Sequence, residues 1–460
     1  MMTDIDKEID LASLGPGLDR LWDLSGPKVK RLCTAYPAEA GTPVYTVAGK
    51  YTARGWTEWT EGFLYGWAIL HFDATDDTEA LELGRTLTRD RMGRHLTHMG
   101  VHDHGFNNVS TYGNLRRLML EGRLVMDDWE LAFYEQALRV SGAVQASRWS
   151  ATATGGGYMY SFNGPHSLFC DTIRSVRSLM VAHQLGHVLL GEDDARISLL
   201  ERGIQHAGTT AEYNVFYGEG RDIYDTWGRV AHEVTFNVTD GRYRAPGTQQ
   251  GYSPFTTWTR GLAWVMAGYT ELLEFLDTVD DQELEPLGGR TGIEATMQRA
   301  ARATCDFYIE HTPTDGIPYW DTGAPGLAHM GDYLNRAAEP VNDYEPVDSS
   351  AAAIAAQGLV RLGRYLTRRA DPDGHRYEQA GLTVLGTLLS DPYLSTDPDH
   401  EGLLRHGVYH RPKGWDHGTT AVPSGESVLW GDYHLVELAL YVQRLANDDP
   451  YYTFFGGGGS

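Results

Sequence analysis

Arg260 and Trp264 lie four residues apart in the segment Gln250 to Tyr269. A helix there would carry both on one side, away from an apolar face made by Trp258, Leu262, Val265, Tyr269, Leu272, Leu273 and Leu276. A guanidinium fork pairs with a carboxylate and an indole stacks on a pyranose, so the pair suits an anionic sugar. The plainer alternative is an arginine lying over an inner aromatic ring. Asp103, between His102 and His104 and ahead of Gly105, marks a loop-to-helix junction. Its carboxylate is either free for chemistry or spent as an N-cap. Asp171 falls in an apolar first turn, where an acid is costly unless paired, and Arg174 and Arg177 follow at helical spacings that could supply the partner.

Other patterns carry less. His183 and His187 have the spacing of a zinc-binding helix, but the residues between them lack a glutamate and no third ligand suggests itself, so no metal is expected. Gly155 to Gly157 lacks the Lys-Ser/Thr ending of a phosphate loop and reads as a loop over a cleft. Trp59, Gly62 and Phe63 place aromatics and glycine where a helix starts beside that cleft, or simply pack a core.

The elements that must hold these residues are mostly helical. Apolar spacing predicts helices over 16–35, 59–72, 78–92, 114–140, 199–214, 375–390 and 428–446. Another opens near Asp171 and runs to about Leu190. Ser253 with Pro254 predicts the start of the Arg260 helix, and Asp348 caps an alanine-rich one whose small residues let inner helices approach closely. Long apolar-faced helices joined by aromatic, glycine-rich loops, with almost no alternating pattern, indicate an all-α toroid with minor strands in loops. Residues 1–455 read as one catalytic domain, and the run Gly456 to Ser460 as a flexible linker outside it.

Composition bounds the function. With 460 residues, 42% of them hydrophobic, the chain can bury a large core. A formal charge of −24 argues against a nucleic-acid or anionic-membrane partner, so an acidic substrate needs local recognition. Three scattered cysteines, Cys33, Cys170 and Cys305, give neither a disulfide framework nor a thiol metal site. The first residues lack a basic segment followed by an apolar run, and a cytoplasmic protein is expected.

Read together, Trp59 to Phe63, His102 to Phe106, the helix opening at Asp171, Gln250 to Ser253 and Trp258 to Trp264 resemble glycoside hydrolase family 88, the unsaturated glucuronyl hydrolases. Gly316 to Asp321, Asp348 to Ile354, Leu404 to Gly407 and Trp430 to Tyr433 extend the similarity over nearly the whole chain. The resemblance implies an (α/α)6 barrel that hydrates the C4–C5 double bond of an unsaturated uronic acid at the non-reducing end of a lyase-generated oligosaccharide. It implies Asp171 as general acid/base and Asp103 as the second carboxylate. His232, Gln250, Arg260, Trp264, Trp59 and His102 would bind substrate, with no cofactor. A vinyl ether needs a proton donor and the ensuing oxocarbenium a nearby anion, and two close carboxylates push one pKa upward. The alternatives are a glycosidase acting on saturated uronides or other glycosides, a sugar epimerase, and a noncatalytic sugar-binding protein.

Overall fold

The computed structural model describes residues 9–55, 58–414 and 422–456. Trp56, in the loop before the second helix, and the centre of the loop from Arg411 to Ser427, expected to line the leaving-sugar side, lie outside these residues, as do the last four of the terminal linker.

Twelve of the described helices form two rings. The inner ring consists of α2 (Glu61–Thr75), α4 (Asn114–Leu120, preceded without a break by His104–Asn108 and a π turn over Val109–Gly113), α6 (Arg177–Gln184), α8 (Thr259–Leu276), α10 (Ser349–Arg368) and α12 (Leu429–Ala446). Each packs on the next, and α12 closes back onto α2. The outer ring is α1 (Gly15–Ala35), α3 (Thr78–Arg91), α5 (Asp128–Ser147), α7 (Leu199–Tyr213), α9 (Arg290–Glu310) and α11 (Gly374–Leu388). This is the expected all-α toroid, an (α/α)6 barrel. The division of labour follows from side chains: every residue of α8 is buried, whereas outer helices such as α3 bury one stripe. At Gly358 on α10 a Cβ would stand 2.9 Å from the backbone of Ala267 on α8, so the close helix approach expected of small residues is present. Among the described residues, no helix is long and apolar enough to cross a membrane.

Three helix boundaries differ from expectation. The Arg260 helix begins at Thr259, not at Ser253. Trp258 is held extended by a bridge to Asp321, and Thr259 donates its amide to Trp320 O (3.1 Å), so tertiary pairing overrides the Ser-Pro start signal. Ser253 instead closes a turn, its Oγ accepting from Phe255 N (3.1 Å). The run 114–140 is two helices, broken at Gly122 (φ +73°), after which Asp127 caps α5. The helix beyond Asp171 stops at Gln184, where Gly186 (φ +73°) reverses the chain.

The barrel axis is not filled by apolar side chains alone. On the side of the inner helices away from the aspartates, Arg174 and Arg177 meet Glu271 of α8, and Arg174 also meets Glu437 of α12 (3.2 Å), all buried. Arg361 pairs with Glu274 (2.6 Å). The C-terminal segment closes over this network: Tyr452 Oη donates to Glu437 (3.0 Å), and Phe454 lies under the Arg177 guanidinium (5.1 Å).

Burial alone would raise the Glu437 carboxyl, but Arg174 and Arg177 outweigh it and hold it at about 2. Such a depressed acid stabilises the fold above its unfolded value of 4.5 and loses that contribution as pH falls through about 2. The free energy of urea unfolding is therefore expected to decline across that window. Glu437→Gln, which leaves two buried guanidinium groups to share the single carboxylate of Glu271, is expected to cost about 3–5 kcal/mol. A loss under about 1 kcal/mol would show that the network does not hold the barrel.

Candidate active site

Two local arrangements bring the aspartates together. The strand Ser167–Phe169 pairs antiparallel with Glu233–Phe236, in the register Phe169 to Glu233, and Cys170 N donates to His232 O (2.8 Å). Asp171 and His232 thus leave the same end of one small sheet. Asp103 arrives from the other side, at the head of the helix that runs on into α4. Gly105 donates its amide to Ser175 Oγ (2.8 Å), and Arg177 Nε donates to Gly105 O (2.8 Å). A Cβ on Gly105 would stand 2.5 Å from the backbone of Ser175, so glycine is required for this approach. Gly62, on the neighbouring inner helix, permits a similar approach: its amide donates to Asn107 Oδ1 (2.7 Å), and a Cβ there would lie 2.3 Å from Asn107 O.

Both aspartates occupy N-cap positions, yet neither carboxylate accepts a capping bond. The ordinary capping role weighed for Asp103 is therefore not the one it plays. Nor does Asp171 pair with the arginines that follow it. Arg174 and Arg177 point to the barrel axis, toward Glu271 and Glu437, and Arg174 also donates to Gln357 (3.0 Å).

The two carboxylates converge on one imidazole. His102 Nε2 lies 3.6 Å from Asp171 Oδ1 and 3.8 Å from Asp103 Oδ1. Together they line a cavity of about 280 Å³ whose wall includes Trp59, Phe106, Phe162, Gln249, Gln250, Trp258, Arg260, Trp264, Tyr409 and His410. Of the residues singled out from sequence, Asp103, Asp171, His102, Trp59, Gln250, Arg260 and Trp264 meet here. His232 stands one layer behind, its Nδ1 accepting from the amides of Gln249 (3.0 Å) and Gln250 (3.3 Å). Glu58, Phe162, Gln249, Tyr409 and His410 carry no spacing signal in the sequence and come to the wall through loops.

Arg260 departs from its expected role. Its Nη1 pairs with Asp348 (2.9 Å) and donates to Val408 O; its Nη2 donates to Gln250 Oε1 (3.0 Å) and Tyr409 O (2.6 Å). The guanidinium lies 4.6 Å from the Trp258 ring and 4.9 Å from Trp430. Both terminal nitrogens already have protein acceptors, so the plainer reading, an arginine over inner aromatic rings, describes it. Its effect on the cavity is indirect: with Oε1 held by Arg260, Gln250 is left with its amide N–H donors to present. Asp348 does cap α10 through Oδ1, as expected, while its Oδ2 holds Arg260. Trp264 packs on Phe106 (4.7 Å) and Trp59 stacks on Trp430 (5.1 Å, 28°). Trp320 and Asp321, within the segment of family resemblance, are held in structural bonds: Trp320 Nε1 donates to Glu345 and Asp321 accepts from Tyr252 N.

Burial raises the Asp103 carboxyl. Burial acts the same way on Asp171, but the His102 imidazole beside it outweighs burial and lowers that group. Burial lowers His102, and the two carboxylates outweigh it and raise the imidazole. His232, with less compensation, is pushed by burial down to about 4 and is neutral at pH 7. Among the described residues, one group could hold a metal by spacing, Glu58, Glu61 and His95. There Arg94 already donates to Glu58 (2.9 Å) and Glu61 (2.6 Å), and Tyr65 donates to Glu61 (2.6 Å). His183 faces Glu283 (3.3 Å), far in sequence from any ligand set.

The His102 ring, followed by NMR titration, is expected above the ordinary histidine value and lower in Asp171→Asn. Gly105→Ala, which pushes the two segments apart, should lower it as well. An unmoved titration in both variants would mean that the imidazole and Asp171 do not share a proton.

No family model matches the chain. An unsaturated glucuronyl hydrolase of Bacillus sp. strain GL1 is 27% identical over 409 residues, covering 86% of this chain and 89% of that protein. An unsaturated chondroitin disaccharide hydrolase of Streptococcus pyogenes serotype M1 is 24% identical over 429 residues, covering 91% and 89%. The crystal structure of the Bacillus sp. GL1 enzyme superposes with a TM-score of 0.68 at 22% identity over 95% of this chain and all of the other. That of an unsaturated glucuronyl hydrolase from Streptococcus agalactiae gives 0.67 at 18%, over 99% and 100%. Similarity spans the chain, the barrel is shared and both aspartates line one cavity, so this chain is similar along its length to the unsaturated glucuronyl hydrolases.

Proposed function

We propose that the protein removes an unsaturated uronic acid from the non-reducing end of lyase-generated oligosaccharides by hydrating its C4–C5 double bond. The observation that carries this reading is the pair of buried, uncapped carboxylates meeting over His102 in a cavity walled by indoles. Asp171 protonates C4 and then takes a proton from the water that attacks C5. Asp103 faces C5 and the ring oxygen, where positive charge develops. The product is a hemiketal, which opens and releases the neighbouring sugar. Trp59 and Trp264 offer ring faces to the sugar, and Gln250, oriented by Arg260 and backed by His232, donates to it.

Among the protein's own groups Asp171 is held low and His102, 3.6 Å away, is raised, so the imidazole is the group placed to supply its proton. An entering uronate adds a further negative charge beside the acids, which favours transfer of a proton from the imidazole to Asp171. The opposite directions of the two aspartate shifts favour a second reading in which Asp103, raised by burial, is the donor and Asp171 the stabilising anion. The reading includes a cytoplasmic site of action, supported by three unpaired thiols of which two are buried, and residues 1–455 acting as one catalytic unit.

Incubation with unsaturated disaccharides from lyase digests is expected to bleach their conjugated ultraviolet absorbance. A panel left unbleached would refute the reaction, and release of an aryl sugar without change in any double bond would favour a conventional glycosidase. Asp171→Asn is expected to lower kcat by about 10²–10⁴-fold, with the smaller loss in Asp103→Asn. The reverse ranking would establish Asp103 as the donor. Because the reaction needs a proton held by this trio, kcat/KM is expected to fall as pH rises past the raised value of His102; a rate that climbs steadily with pH would contradict this.

A further inference from the structure

The catalytic cavity, at about 280 Å³, is at the small end of the roughly 300–1,000 Å³ of ligand pockets and has room for one sugar ring rather than a chain. Whatever follows that ring must run over the rim. The chain leaves the cavity wall at Gln250 and returns to it at Trp258, and the loop between them is pinched at its base: a Cβ on Gly251 would lie 3.1 Å from Trp258 Cβ. Tyr252 and Phe255 on this loop are about half exposed.

A second loop is fastened to the first. Tyr224 lies against Phe255 with ring centroids 5.0 Å apart and is itself half exposed. Asp225 fixes this loop by accepting the amides of Gly218 (2.8 Å), Glu219 (3.1 Å) and Arg221 (2.8 Å). Arg229, buried and 3.5 Å from the Phe216 ring, donates to Asp222 (2.6 Å) and to Pro254 O (3.4 Å), tying one loop to the other. A buried arginine that ties together two loops carrying exposed rings, one of them running out of the cavity wall, is a built surface, and soluble proteins rarely expose clustered rings without a use.

We propose that Tyr252, Phe255 and Tyr224 form a stacking platform for the third and later sugars of the substrate, counted from the uronate held in the cavity. The occupant is a saccharide chain and not a second protein, because the loop is continuous with Gln249 and Gln250 of the cavity wall and ring faces complement the C–H faces of pyranoses. The inference rests on the proposed reaction for its direction, and chain length separates the two.

The test measures KM and kcat for an unsaturated disaccharide and an unsaturated tetrasaccharide with uncharged reducing-side sugars. Tyr252→Ala/Phe255→Ala is expected to raise KM for the tetrasaccharide about tenfold and to leave kcat and the disaccharide unchanged, while Tyr252→Phe/Phe255→Tyr keeps the native values. Equal changes for both lengths, or none, would overturn the platform and leave the reaction standing. Loss of self-association in the alanine variant with an unaltered tetrasaccharide KM would also overturn it, marking the patch as a contact between copies. Should the native protein bleach neither substrate, calorimetric binding of the saturated tetrasaccharide decides. A tenfold weakening in the alanine variant upholds the platform, and undiminished binding, or none to the native protein, overturns it.

Discussion

The arrangement depends on one contact between two short segments far apart in sequence. Gly105 lies against Ser175, its amide bonded to the serine hydroxyl and its carbonyl to Arg177. Two residues before the glycine is Asp103, and four before the serine is Asp171. Fixing that contact fixes the separation of the carboxylates to within the play of two short turns. It also explains why neither acid serves as a cap: each is at the mouth of its helix with its carboxylate turned to the cavity. The N-terminal end of a helix is still a favourable place for negative charge, so these positions ease the burial of two acids without spending their oxygens.

The buried arginines belong to the same design. Arg177 reaches in two directions, to Gly105 O beneath Asp103 and to Glu271 of α8. Arg174, in the turn that leads into α6, ties this segment to α8, α10 and α12 through Glu271, Gln357 and Glu437. An apolar axis of equal volume would stabilise a barrel as well or better, since buried ion pairs roughly balance their desolvation. What ion pairs add is direction: they set the rotation of each inner helix about its own axis, which a greasy contact does loosely. For a site assembled from several inner helices and the loops between them, that orientation decides whether the side chains meet.

Much of this was legible in the sequence. Helix-period apolar spacing marked α1, α2, α3, α7, α11 and α12 to within a few residues, because a core-facing stripe is a local property. The chemistry-bearing residues were legible as types: an acid between two histidines, an acid in an apolar turn, an arginine and a tryptophan four apart. Their partners were not. Arg174 and Arg177 stand at helical spacing from Asp171, and local reasoning pairs them with it; only the closed inner ring brings Glu271 and Glu437 nearer. Arg260 looked like a free fork because Asp348, 88 residues away, carries no mark of facing it. The Ser253 start failed for a related reason, since the bridge from Trp258 to Asp321 competes with helix formation from a distance.

The electrostatics of the cavity must change when an anion enters, and the direction can be argued. Three titratable groups, Asp103, His102 and Asp171, share a space from which water is largely removed. With two carboxylates and one imidazole, the cheapest way to bury them is a single positive charge on the ring facing a single negative charge on one acid, with the other acid neutral. The shifts run in that direction: the imidazole raised, Asp171 lowered, Asp103 raised. A neutral ligand would leave it intact. An anionic sugar cannot, because its carboxylate competes for the imidazolium and makes the ionised aspartate more costly. Under the proposed reaction, the ligand charge would therefore favour moving a proton from the imidazole to an acid within the site. A protein of charge −24 gains little from attracting such an anion at long range; here the discrimination lies in what the anion does on arrival.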